Sequence, residues 1–232
     1  MVDMKTMVFV IMMVLFTVNM AFGIPTLQLY IPDANYNENT ESWLACNNPF
    51  ELWVVGADQP NQVDYIKDVK LHFAIPMEYY VPDGNIHIWG EGIDKWIDSF
   101  TLGQPAEIQQ PHGIYPAYYY TLDLPDLEVD TAGETVYNYN PGEDGQDTGD
   151  IQKFYVEYTN YFLIHMDLTG VAVWENGRLK NVFAPYSHDA DAPSIVSEPS
   201  TFILIGGGII ILMVYRRRFY RTERIMRNRI IL

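Results

Sequence analysis

Histidine and aspartate are the side chains in this chain best suited to chemistry, and they meet in two short motifs. His112 lies between Pro111 and Gly113, and His188 is followed directly by Asp189. Both motifs fall in predicted loops, where an imidazole and a carboxylate can hold a metal ion or a general base. No G-x-S-x-G, H-E-x-x-H or Cys-His pattern accompanies them. A metal-dependent hydrolase site is one hypothesis, and histidines that bond loop backbone are the other.

A second set of candidate ligands lies in the glycine-rich stretch 141–150, which is predicted to be a loop. Its carboxylates belong to Glu143, Asp144, Asp147 and Asp150. Ca²⁺ takes 6–8 oxygen ligands, so clustered carboxylates in such a loop predict a calcium site. The spacing is not that of an EF-hand, and a solvated loop without metal is the alternative. No other cofactor is predicted.

Tyrosine and tryptophan are abundant, with 17 and 5 residues respectively. In a strand, alternate side chains point outward, and outward aromatic rings can stack on sugars. A carbohydrate-binding role is therefore one hypothesis, and ordinary packing of these rings is the alternative. The aromatic residues concerned include Tyr79, Tyr80, Trp89, Trp96, Tyr115, Tyr118, Tyr119, Tyr120 and Trp174.

The elements that must position these residues are predicted to be short β-strands. Apolar and polar residues alternate over Leu27–Ile31 and again over Val69–Ile75, where the strand is predicted to be half-buried. Turn residues interrupt the strands, and no amphipathic helix of ten residues stands out between them. The pattern predicts an all-β fold, a jelly-roll-like β-sandwich over 24–190. Histidines inside predicted strands, expected to be hydrogen-bonded, are His72, His87 and His165.

Charge is distributed very unevenly along the chain. The formal net charge is −16, but between residues 24 and 201 six basic residues face 28 acidic ones. A field of this sign repels nucleic acid and favours solubility and divalent cations, so nucleic acid is excluded as a partner. Cys46 is the single cysteine, so the chain has no internal disulfide.

Both ends of the chain carry features of targeting segments. Residues 1–23 combine Lys5, an apolar run and small residues before position 24, which predicts a secretory signal peptide handled by the translocon. A linker and motif over 191–200 precede an apolar run at 201–215, which predicts a short membrane helix. The basic tail 216–232 is then cytoplasmic by the positive-inside rule. The domain before it is therefore outside the cell.

The C-terminal segment resembles the PEP-CTERM sorting signal of exported bacterial proteins. The motif residues are Ser197, Glu198, Pro199, Ser200 and Thr201, with Ser197 where the first proline usually stands. The apolar run that follows contains glycines and ends at Arg216, Arg217 and Arg218. The resemblance implies processing by an exosortase-type membrane enzyme. An uncut single-pass anchor is the alternative.

Three further stretches, 24–29, 111–118 and 183–190, resemble the choice-of-anchor N family of exported proteins. This resemblance implies a surface protein of unestablished role and brings no catalytic residues. The function predicted from the sequence is thus a structural or interaction role at the cell envelope, and not an enzyme. The alternatives are a carbohydrate-binding module of the extracellular matrix, a self-associating calcium-bridged layer or filament subunit, and the metal-dependent hydrolase.

Overall fold

In a computed structural model, which describes residues 24–58, 62–108 and 113–193, the chain is built from β-strands and two short 3₁₀ turns. The strands are β1 Leu27–Tyr30, β2 Asn35–Asn37, β3 Ser42–Leu44, β4 Phe50–Ala57, β5 Val63–Pro76, β6 Asn85–Gly90, β7 Ile93–Ile97, β8 Thr101–Gly103, β9 Ala117–Asp123, β10 Glu134–Tyr137, β11 Gln146–Thr159, β12 Leu163–Trp174, β13 Leu179–Phe183 and β14 Asp189–Pro193.

The strands form two sheets. The six-stranded sheet has the order β1-β4-β11-β6-β7, with β10 also paired to β11. The eight-stranded sheet has the order β2-β3-β14-β12-β5-β9-β8, with β13 also paired to β12. The β14–β3 pair is parallel. The predicted all-β, sandwich-like fold is confirmed, and its jelly-roll refinement stays a prediction.

The core lies between the sheets because one set of alternate side chains from each sheet is apolar. Phe154 and Leu52 from the six-stranded sheet share one buried cluster with Phe73, Ile164 and Met166 from the eight-stranded sheet. In β12 the intervening side chains must then lie on the outer face of the eight-stranded sheet. That alternation places polar residues in a row on this outer face.

The prediction that β5 is half-buried is wrong over its C-terminal half. His72 and Ala74, on the outer face of the sheet, are as fully buried as the core side chain of Phe73 between them. Loops fold over this face. Tyr115 bonds Asp167 of the neighbouring strand β12, and Glu107 pairs with a lysine of β5. Loop coverage of a sheet is decided by tertiary structure, so strand alternation did not reveal it.

Several predictions fall on residues outside the described ranges. They are the signal peptide 1–23, the sorting motif, the apolar run 201–215, the arginines at 216–218, and His112. Within the described ranges there is no helix of the length and apolarity that crossing a membrane requires.

Candidate functional site

The outer face of the eight-stranded sheet carries a continuous row of polar side chains across neighbouring strands. Strand β12 contributes His165, Asp167 and Thr169, which alternate with its core residues. The pairing sets His165 opposite Asp191 of β14, and Asp167 opposite His72 of β5. These side chains are buried, so the row is a hydrogen-bonded network beneath loops and is not a solvated surface.

His165 is at the centre of the network. Its Nδ1 donates to Oδ1 of Asp191 at 2.6 Å, and the Ser42 hydroxyl donates to the other oxygen of Asp191 at 2.5 Å. On the opposite side of the ring, Nε2 lies 3.2 Å from Oδ1 of Asp167 and 3.8 Å from Oδ2 of Asp189. One imidazole is therefore enclosed by three carboxylates.

The electrostatics of this cluster follow from burial and charge. Burial by itself lowers the pKa of His165, but the carboxylates of Asp167 and Asp189 and the hydrogen bonds to Asp167 and Asp191 outweigh it and hold that pKa well above its usual range. The Tyr115 hydroxyl donates to Oδ2 of Asp167 at 2.7 Å. Burial, and then the charge of Asp167, raise the pKa of Tyr115. The carboxylates thus favour the protonated imidazole as long as no other cation lies among them, and the phenol stays protonated at neutral pH.

His72 lies in the same row as His165, but its pKa is shifted in the opposite direction. Its ring nitrogens are bonded to the hydroxyls of Thr121, at 3.0 Å, and Thr169, at 2.9 Å. Burial lowers the pKa of His72 to about 4, against the raising effect of Asp167. His72 is therefore neutral near pH 7, and two hydroxyl partners replace the charge partners that His165 has.

A cavity of about 380 Å³ opens beside this network. Asp167 and Thr169 line it from β12, and Asn181 and Phe183 line it from β13. Tyr186 also lines it. The volume falls in the range of about 300–1,000 Å³ usual for small-ligand pockets, and a mixed aromatic and polar lining is typical of them. The cavity and the network share Asp167, so together they form the candidate site.

Of the two histidine motifs predicted from the sequence, the one at His188 and Asp189 lies in the described residues. Nε2 of His188 bonds Oδ1 of Asn138 at 2.8 Å, and Nδ1 bonds the Ser187 hydroxyl at 2.9 Å. Burial lowers the pKa of His188 to about 4. Asp189, although next in sequence, points to His165 because adjacent side chains of an extended segment alternate. His112 lies outside the described residues.

The four predicted calcium ligands are dispersed. The carboxylate of Glu143 accepts bonds from Asn138 and Asn140, and Asp150 accepts the backbone N–H of Glu128. Strand β11 already begins at Gln146, so the predicted loop is shorter than 141–150. The other two ligands are Asp144, exposed before the strand, and Asp147 within it. In the described part of the chain, no three of these four carboxylates come close enough together to hold one metal ion. Calcium binding stays a prediction.

Several of the aromatic side chains expected to point outward pack against one another. On the outer face of the six-stranded sheet, Trp96, His87, Trp89 and Tyr155 form a stack across β7, β6 and β11. The ring centroids of Trp96 and His87 are 4.2 Å apart and their planes differ by 2°, so the two rings face one another. The facing sides of the stacked rings cover one another, while Trp96 and Tyr155 remain 58% and 44% exposed.

Sequence reasoning missed most of the candidate site. His165 was expected only as a hydrogen-bonded strand histidine, and Asp167 and Asp191 were not singled out. A signal was present in the spacing. His165-x-Asp167 and Asp189-x-Asp191 each place two ligating side chains on one face of a strand, and only the pairing of β12 with β14 brings the two patterns together.

Comparisons with known proteins give no family. No protein-family model matches the chain, and no curated protein matches it. Among solved structures, it is similar to AvmM, which catalyses macrocyclisation in alchivemycin A biosynthesis, with 7% identity and a TM-score of 0.33 over 70% of this chain and 89% of that one. It is also similar to the collagen-binding subdomain of the Enterococcus faecalis surface protein ACE, with 7% identity and a TM-score of 0.24 over 73% and 97%. The collagen-binding domain of the Erysipelothrix rhusiopathiae surface protein RspB gives 8% identity and a TM-score of 0.21 over 73% and 49%. At such TM-scores these likenesses carry no argument about function.

Proposed function

We propose that this chain is an exported surface protein whose β domain binds a neutral polysaccharide in the cavity beside β12 and β13. The observation that carries the proposal is the cavity lining, which combines aromatic rings with hydrogen-bonding groups. Sugars present both apolar C–H faces and hydroxyls. The aromatic rings of the lining match the apolar faces, and its hydrogen-bonding groups match the hydroxyls. The proposal adopts the interaction role predicted from the sequence and moves the binding surface away from the aromatic stack.

The aromatic part of the lining is accessible. Phe183 is 58% exposed and Tyr186 is 42% exposed, although each contributes to the cavity wall. Large apolar side chains that remain exposed next to a concave site are typical of binding surfaces. A sugar ring placed against Phe183 would bury ring surface that now faces water, which supplies the apolar part of the affinity.

The polar part of the lining selects for a neutral ligand. Asp68, Glu107 and Asp167 line the cavity together with one cation, Lys70, and that lysine is already paired with Glu107. With three carboxylates and one lysine, the side chains of the lining carry a net negative charge, which disfavours anionic groups. The carboxylates can accept hydrogen bonds from sugar hydroxyls, and the Asn181 amide can both accept and donate them. Uronic-acid and sulfated polymers are therefore excluded in favour of neutral ones.

Export and anchoring belong to the same proposal and rest on the sequence. The signal peptide and the PEP-CTERM-like tail would deliver the domain to the envelope, where an exosortase-type enzyme cuts near Ser197–Thr201. The intact mass of the protein from its native envelope tests this part. The mass of a chain that ends within the motif would support processing. The mass of a chain that includes Leu232 would mean that the segment is a permanent anchor.

Binding is tested on a glycan array that holds neutral and anionic polysaccharides, with the wild-type protein and four variants. Phe183→Ala and Tyr186→Ala remove the cavity's aromatic rings. Leu179→Ala is the matched control, because Leu179 is on the same strand as Phe183 and is equally exposed, at 55%, but does not line the cavity. Trp96→Ala tests the competing aromatic stack.

We expect wild type, Leu179→Ala and Trp96→Ala to bind the same neutral glycans. Each cavity variant should bind them about tenfold or more weakly, which corresponds to about 1.4 kcal/mol. Loss of binding on Trp96→Ala alone would move the site to the stack. Silence of the wild type on every neutral glycan would overturn the proposal.

A further inference from the structure

We propose that His165, Asp167 and Asp189 form a binding site for a divalent transition-metal ion. This inference does not rest on carbohydrate binding. The three side chains are all buried, and one potential ligand atom from each lies within 4.8 Å of the other two. They differ from the ligand set predicted from the sequence, with which they share only Asp189.

The distances fit a metal with short bonds. Zn²⁺ binds histidine nitrogen and carboxylate oxygen at about 2.0–2.2 Å in tetrahedral geometry, which separates neighbouring ligand atoms by about 3.4 Å. Nε2 of His165 lies 3.2 Å from the Asp167 oxygen and 3.8 Å from the Asp189 oxygen. These two nitrogen–oxygen separations bracket that value, and one carboxylate oxygen of Asp167 lies within 4.8 Å of one of Asp189.

The outer contacts of the imidazole hold it in the orientation a metal needs. Nδ1 donates to Asp191, whose second oxygen is bonded by Ser42. Metal-binding histidines commonly donate their second ring N–H to a carboxylate, which fixes the ring and makes the free nitrogen a better ligand. The Asp191 contact leaves Nε2 directed at the two aspartates, the arrangement of a carboxylate–histidine–metal unit.

The neighbouring cavity is an independent observation that points to a ligand. Asp167 belongs both to the cluster and to the lining of the 380 Å³ cavity. An ion can reach the cluster from that side, and three protein ligands leave a fourth position for water or a bound molecule. The nitrogen donor favours zinc or iron over calcium, which takes oxygen ligands.

The competing explanation is a purely structural network, in which a protonated His165 pairs with the carboxylates and no metal binds. The two explanations predict different metal contents. The full protein, without a polyhistidine tag, is stripped with chelator and dialysed against a small excess of Zn²⁺, Co²⁺ or Ca²⁺. Bound metal is then measured by elemental analysis, and Co²⁺ coordination by its visible absorption.

We expect about one Zn²⁺ or Co²⁺ per chain in the wild type, no calcium at this site, and a Co²⁺ spectrum typical of tetrahedral nitrogen and oxygen ligands. Asp189→Asn should raise the metal Kd at least tenfold. The matched control is Asp94→Asn, which alters an exposed aspartate bonded to His87 at 2.8 Å and should leave metal content unchanged. Circular dichroism shows whether each variant keeps its fold.

A wild-type protein that binds no transition metal in stoichiometric amount overturns the site. This criterion uses the wild type alone, so it holds even where Asp189→Asn is unstable. Equal loss in Asp94→Asn would mean adventitious surface binding and would also overturn it. Metal binding without glycan binding leaves this inference standing while the proposed function fails. Glycan binding by a protein that binds no metal would leave the proposed function standing while this inference fails.

Discussion

The burial of His72 makes a quantitative prediction about acid stability. Its pKa is about 4 in the folded protein, because burial disfavours the charged imidazole, against about 6.5 in an unfolded chain. The unfolded state therefore binds a proton as pH falls below about 6.5, and the folded state does so only near pH 4. Stability from His72 is present above pH 6.5 and is lost as pH falls through this window, by about 2.5 kcal/mol at pH 4.5.

The assay is urea unfolding at pH 7.0 and pH 4.5, for the wild type and for His72→Gln. Glutamine can still bond hydroxyls such as those of Thr121 and Thr169, but it does not titrate. All other ionisable groups are shared by the two proteins, so the difference in their pH dependence isolates His72. We expect the variant to lose about 2.5 kcal/mol less than the wild type between the two pH values. Equal losses in both proteins would refute the reasoning.

Three further predictions concern packing and the polar network. Phe73→Ala, in the fully buried core, should lower the free energy of unfolding by about 3–5 kcal/mol, while the exposed Leu179→Ala should change it by less than about 0.5 kcal/mol; equal effects would contradict the core assignment. Gly149→Ala should cost about 1–3 kcal/mol, because a Cβ would overlap a backbone carbonyl oxygen of β4. Gly113→Ala has open space and is its control in the same melts. Tyr115→Phe removes a donor to a buried carboxylate and should cost about 1–3 kcal/mol; an unchanged midpoint in urea would show that this bond is not formed in solution.

The sequence was informative where the physics is local. The alternation around Leu27 and Leu29 predicted β1, and that around Leu71 and Phe73 predicted β5, because one face of each strand packs on the core. The absence of long amphipathic patterns matched a described structure without α-helices. Strand patterns of this kind depend on a period of two, which any sandwich-like fold imposes.

The candidate site depended on tertiary pairing, which no local pattern contains. Asp189 was singled out with His188, its sequence neighbour, but its side chain lies on the opposite side of the chain and faces His165. The latter histidine comes from β12, and the β12–β14 pairing decides which residues it meets. Loops cover this face of the sheet, so its polar residues are buried and form a network with shifted pKa values.

Amide chemical-shift mapping shows whether the cavity beside β12 and β13 is the binding surface. The ¹⁵N-labelled protein is titrated with a mixture of neutral glucose and galactose oligosaccharides. If the cavity is the binding surface, we expect saturable shifts at Asn181, Phe183 and Tyr186, which line the cavity. Shifts confined to Trp96 and its stacked neighbours, or no shifts at millimolar sugar, would contradict it.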